Sequence, residues 1–164
     1  REARNAKRKR ESPVNLSLRR IFLDTNIFII GDADQASSES LILEALGYRN
    51  KSPVLAAEVI FSDELVDQIR RVSKYLYGKE QAGQILANLW YWLDIFYIPS
   101  TVNWEQDVSE LIDSRIIPSE DMEIYLSAKY GQADCFVSGN RKLLTAIAEF
   151  ECLTPEQFIQ KYLS

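Results

Sequence analysis

Four acidic side chains, Asp24, Glu64, Asp121 and Asp134, lie where strand ends and helix starts are expected, the places where parallel α/β sheets put their chemistry. Asp24 closes the apolar run Ile21-Phe22-Leu23 and precedes Thr25-Asn26 and a second apolar stretch, Ile27 to Ile30. A carboxylate between two such runs is costly unless it is paired, hydrogen-bonded or bound to a cation. Glu64 lies in the helical stretch Phe61 to Ile69, where Asp63 and Asp67 compete for the same role. Asp121 begins the helical segment Asp121 to Ala128, and Asp134 opens the strand-like Asp134-Cys135-Phe136-Val137. Taken singly, Glu64 also reads as a solvated helical charge, Asp121 as a carboxylate facing a helix dipole, and Asp134 as a turn residue. Only Asp24 resists the bland reading by itself. The chain has no histidine and two cysteines, which leaves no imidazole base and no thiolate metal site. Chemistry here must run on carboxylates, with a hard, oxygen-liganded cation as helper. That combination points to phosphate chemistry.

The elements that must position these groups alternate between strand and helix. Strands are expected at 20–24, roughly 53–57, 95–98, 134–138 and 150–153. Helices are expected at about 39–48, 58–77, 80–93, 104–113, 119–131, 139–148 and 155–163. Gly47, Gly78 and Gly131 mark helix exits, and Thr154-Pro155-Glu156-Gln157 carries a capping threonine, a first-turn proline and a capping-box glutamine. This alternation predicts a three-layer α/β domain, with a central, mainly parallel sheet of four to five strands flanked by helices. No Gly-rich phosphate loop follows the first strand, which argues against a nucleotide-binding module. The paired acids and late lysine of a receiver domain cannot be placed.

At 164 residues the chain is expected to form one domain, residues 20–164, preceded by a basic arm, residues 1–19. Residues 1–20 hold eight Lys/Arg against Glu2 and Glu11, a charge of +6. The remaining residues hold 11 basic and 22 acidic side chains, a charge of −11. Such an arm reads either as a solvated terminus or as a tail that meets a polyanion. The chain opens on arginine, so an upstream stretch is expected. No apolar run reaches membrane-span length and no secretory leader is evident, so a cytoplasmic protein with no membrane role is expected. Cys135 and Cys152, both in apolar settings, are expected as packed thiols rather than a disulfide.

The order and spacing of these residues resemble the PIN-domain family of metal-dependent ribonucleases. Ile21-Phe22-Leu23-Asp24-Thr25-Asn26-Ile27-Phe28 looks like that family's opening strand. Val54-Leu55-Ala56-Ala57-Glu58-Val59-Ile60 through Glu64-Leu65 resembles its second strand and the helix bearing its second acid. The segment from Asp121 through Asp134 to Asn140 is similar to its acid-bearing helix and the strand after it, and Leu153 to Phe158 to a common terminus. The resemblance spans roughly residues 20–163. It implies an endoribonuclease in which Asp24, Glu64, Asp121 and Asp134 are catalytic, and Asp24, Asp121 and Asp134 hold Mg²⁺ or Mn²⁺. Thr25, Asn26, Ser138, Asn140, Arg141 and Lys142 would meet the RNA substrate, with Lys129 beside them. Many PIN domains carry an aspartate where this chain has Asn140, whose amide oxygen would bind a cation without adding charge. An inactive scaffold binding RNA or protein is therefore the alternative. The resemblance also implies a toxin held by a cognate antitoxin or other protein partner, and a homodimer through helices 80–93 and 104–113. The aromatic group Trp90-Tyr91-Trp92 with Phe96 and Tyr97 is expected as packing rather than a base-stacking platform.

Overall fold

The computed structural model describes residues 18–99 and 104–164, except for the side chains of residues 113 and 114. The expected basic arm lies almost wholly outside the described residues. Five parallel strands form one sheet in the order β3-β2-β1-β4-β5: β1 (Arg20–Leu23), β2 (Glu58–Ser62), β3 (Ile95–Ile98), β4 (Cys135–Val137) and β5 (Glu151–Leu153). The helices are α1 (Thr25–Ala33), α2 (Ser38–Ala45), α3 (Asp63–Tyr77), α4 (Lys79–Trp92), α5 (Trp104–Ser114), α6 (Met122–Tyr130), α7 (Arg141–Ala146) and α8 (Pro155–Phe158). A 3₁₀ turn at Ser119–Asp121 leads into α6, and α8 widens into a π-helical stretch, Ile159–Leu163. The result is a three-layer α/β fold, and no described helix is long and apolar enough to cross a membrane.

β1, β2 and β4 are nearly continuous apolar runs because both faces of a central parallel sheet are covered. Ile21, Phe22, Leu23, Val59, Ile60, Phe61, Cys135, Phe136 and Val137 are fully buried, and Phe22 stacks on Phe136 with ring centroids 5.2 Å apart. The same property corrects the second strand, which runs Glu58–Ser62 instead of 53–57. Val54 is exposed, and the helix expected from 58 starts only at Asp63. A short apolar run has no periodicity that separates strand from buried helix. Ser62 sets the boundary: its Oγ accepts the Leu65 amide and caps α3. A further difference is α1, absent from the expected helices because TNIFIIGDA is apolar on almost every side. Its Gly31 lets α2 approach closely, since a Cβ there would lie 2.6 Å from Leu43 Cδ1.

Cys135 is level with Glu151 and Phe136 with Cys152, so the two thiols point to opposite faces of the sheet and both are free, as expected. Trp90 packs edge-on against Phe61 and leans on Tyr97, while Tyr91 projects into solvent.

Candidate active site

With strand order 3-2-1-4-5, the direction in which successive strands are added to the sheet switches between β1 and β4. In open α/β sheets the crevice outside the carboxyl ends of such strands is where ligands bind. Asp24 follows β1 there, and Ser138-Gly139-Asn140 follows β4. Asp24 is the N-cap of α1. Its Oδ1 accepts the Thr25 amide at 2.8 Å, and its Oδ2 accepts the Ser138 hydroxyl at 2.7 Å. Its own amide donates to the Val137 carbonyl, tying it to β4. Ser138 is fully buried and its Oγ also accepts the Asn140 amide at 3.0 Å. One hydroxyl thus fixes both the first carboxylate and the turn beyond β4.

Asn140 caps α7, its Oδ1 accepting the Leu143 amide at 3.2 Å. That bond orients the amide. The Nδ2 group faces Asp121 Oδ2 at 3.5 Å, a long contact. In this arrangement the Asn140 oxygen caps α7 and its NH₂ group faces a carboxylate. Asp121 sits where the 3₁₀ turn passes into α6. Its carboxyl is raised above its ordinary value by burial, then by the negative charges of Glu120 and Asp24, with Asn140 and Lys142 acting in the opposite direction. Asp24 and Asp121 are thus close enough to feel one another, with too little positive charge to offset them.

Glu64 lies in the first turn of α3, which leaves β2 at the same edge. Gln68, one helical turn further, accepts the Thr25 hydroxyl. Residues four apart share a helix face, so Glu64 is on the side of α3 that meets the start of α1. Asp67 is exposed and ion-paired with Arg70, which removes it as a competitor. The Ser62 hydroxyl meets Ser127 Oγ of α6 at 2.7 Å in a fully buried pair, locking α6, and with it Asp121, against β2.

Asp134 is not part of this group. It precedes β4 at the amino edge, level with Arg20, and its Oδ2 accepts the Arg19 and Arg20 amides at 2.8 and 3.0 Å. Four residues of strand, about 13 Å, separate that level from Asp24. The structure thus places it apart from Asp24 and Asp121, where it holds the start of β1. Lys129 also lies apart: it is near the end of α6, roughly 12 Å along the helix from Asp121. Thr25 is buried, its hydroxyl given to Gln68, while Asn26, Arg141 and Lys142 are exposed at the carboxyl edge. Sequence reasoning missed Gln68, the Ser62–Ser127 pair and Glu120. The one usable signal was the spacing of Gln68, four residues after Glu64.

Among the described residues, no three His, Cys, Asp or Glu side chains close into a cage for an ion. The donor set nonetheless fits a hard divalent cation. Two carboxylates of different elements face one crevice with excess negative charge, and Mg²⁺ commonly takes one or two protein carboxylates while keeping its waters.

This architecture defines a class, and the chain has the PIN-like fold that its sequence resembled. Solved structures of that fold are similar to it over most of its length. VapBC2 from Rickettsia felis, bound to a DNA fragment from its promoter, matches with a TM-score of 0.60 and 19% identity over 82% of this chain and 98% of the other. VapBC-1 from nontypeable Haemophilus influenzae gives 0.59 and 16% identity over 84% and 98%. VapC20 from Mycobacterium tuberculosis, a Sarcin-Ricin loop cleaving toxin, gives 0.51 and 15% identity over 71% and 86%. No protein-family model and no curated protein matches the sequence.

Proposed function

We propose that this chain is a divalent-metal-dependent endoribonuclease, acting as the toxin of a toxin–antitoxin pair. The observation that carries the reading is the convergence of Asp24 and Asp121 on the crevice between β1 and β4, each carboxylate steered by a residue of the turn after β4. That the similar structures include a toxin–antitoxin complex from Klebsiella pneumoniae and a Sarcin-Ricin loop cleaving toxin supports the biological setting. Asp24 and Asp121 would hold Mg²⁺ or Mn²⁺, with Glu64 the third carboxylate on the facing helix. Such an ion, when bound, supplies water activation and stabilises charge on the departing oxygen of a phosphodiester.

The chain's own residues do the rest. Ser138 holds Asp24 through a hydrogen bond, and the Asn140 amide group faces the Asp121 carboxylate at longer range. Arg141 and Lys142 bring positive charge to the rim of an otherwise acidic crevice, where RNA would lie, with Lys142 taking its phosphate backbone. Asn26 adds an exposed amide at the same edge. No imidazole is needed, in keeping with a chain that has none.

The test is cleavage of end-labelled single-stranded RNA by the purified chain with Mg²⁺, Mn²⁺ or EDTA, beside Asp24→Asn. Cutting that needs the ion and is lost in the variant is the expected result. Cutting that persists in EDTA or in Asp24→Asn would sink the reading. RNA bound but never cut, with no cation uptake by calorimetry, would establish the scaffold instead.

A further inference from the structure

An open cavity of about 480 Å³ lies between α7 and the corner where β5 passes into α8. It begins one residue from the carboxylate cluster, because Arg141 on its wall follows Asn140. Its polar groups sort into two kinds. Some are already used: Thr145 Oγ1 donates to the Arg141 carbonyl at 2.8 Å, and Gln157 Oε1 accepts the Thr154 amide at 2.9 Å. Three further side chains line the cavity, are exposed and have hydrogen-bonding capacity left over: Arg141, Glu156 and, through its NH₂ group, Gln157. Arg141 and Glu156 line the same space, yet neither is in an ion pair among the described residues.

A cation and an anion that share a cavity without closing on each other suit a ligand with donors and acceptors side by side. A phosphate alone would meet the negative charge of Glu156, and an apolar ligand would use neither charge. Guanine satisfies them together: its N1–H and N2–H groups fork onto a carboxylate, and its O6 and N7 fork onto a guanidinium. Leu144 and Cys152 supply apolar surface for the ring. We propose that this cavity is a nucleobase subsite that reads guanine next to the scissile phosphate. Its place beside the cut rests on the nuclease reading, whereas its base preference does not.

The test is an NMR titration of the full chain with guanosine, adenosine, cytidine and uridine 5′-monophosphates, beside Glu156→Gln and Arg141→Ala. Expected are shifts at the amides of Thr145, Thr154 and Gln157, with guanosine monophosphate bound at least about 5-fold tighter than the other three. Either variant should bring that ratio close to one, and in RNA cleavage guanosine should adjoin the cut. Equal binding of all four nucleotides, preference for another base, or no shifts between residues 141 and 157 would each overturn the proposal. Discrimination without RNA cleavage would leave the subsite standing and remove the nuclease. Cleavage at random bases, with equal nucleotide binding, would do the reverse.

Discussion

At the scale of single residues, one buried hydroxyl governs the cluster. Ser138 donates to Asp24 and accepts from the Asn140 amide, so Ser138→Ala leaves the carboxylate free to rotate and unties the turn before α7. Groups that orient a metal-binding carboxylate commonly matter by 10- to 100-fold. RNA cleavage by Ser138→Ala should therefore fall by roughly 10- to 100-fold, with saturation by Mg²⁺ moving to higher concentration. Unchanged kinetics and metal dependence would show that Asp24 needs no such partner. Asp121 makes a second prediction through its raised carboxyl. Below its ordinary value of 3.8, both folded and unfolded forms are protonated. As pH rises from there to the folded value, the folded chain holds more protons, so stability falls across that window. Above the window the penalty is constant. Asp121→Asn removes it, so in EDTA the variant should melt higher than the parent at pH 7, with the gain fading toward pH 3. A gain that does not vary with pH would assign the effect to packing.

At the scale of elements, what places Asp121 is a contact far from any catalytic chemistry. The Ser62–Ser127 pair joins the end of β2 to the middle of α6, and the Ser127 hydroxyl also donates to the Glu123 carbonyl within its own helix. Replacing either serine with alanine strands a buried polar partner, at a cost of about 1–3 kcal/mol. The double variant should cost less than the sum of the two singles, read by urea melts. Strict additivity would mean the two hydroxyls are not coupled. This contact also shows what a sequence can disclose. Asp24 was legible because a charge between two apolar runs needs an explanation, and the parallel sheet was foreshadowed by alternating element types. Two serines 65 positions apart carry no mark of their pairing. The boundary at Ser62 was missed for a related reason: the apolar centre of β2, Val59 to Phe61, has no alternation, and only the cap formed with Leu65 reveals where strand gives way to helix. Asn140 was legible as an anomaly, but its meaning depends on which of its two amide atoms α7 captures.

At the scale of the whole molecule, the parallel sheet has two unlike edges, and sequence order does not say to which edge an acid belongs. Asp134 and Asn140 are six residues apart, yet one stands before β4 and the other beyond it, so a strand's length divides them. The acid at the amino edge holds the start of β1 by accepting the Arg19 and Arg20 amides, whereas the acid at the carboxyl edge is held by a hydroxyl and faces another carboxylate. Stability and chemistry should therefore separate between them. Asp134→Ala loses two charge-assisted bonds at an exposed site, worth about 1–2 kcal/mol together. In a chain of this size that lowers the melting temperature by roughly 2–6 °C. The folded variant should retain its RNA cleavage and its dependence on the cation. Asp24→Asn should show the opposite pattern: a modest change in melting, with cleavage abolished and thermal stabilisation by Mg²⁺ lost. Melting curves with and without Mg²⁺, taken beside the cleavage assay, decide it. If Asp134→Ala instead lost cleavage while melting like the parent, Asp134 would belong to the catalytic group and the two-edge assignment would be wrong.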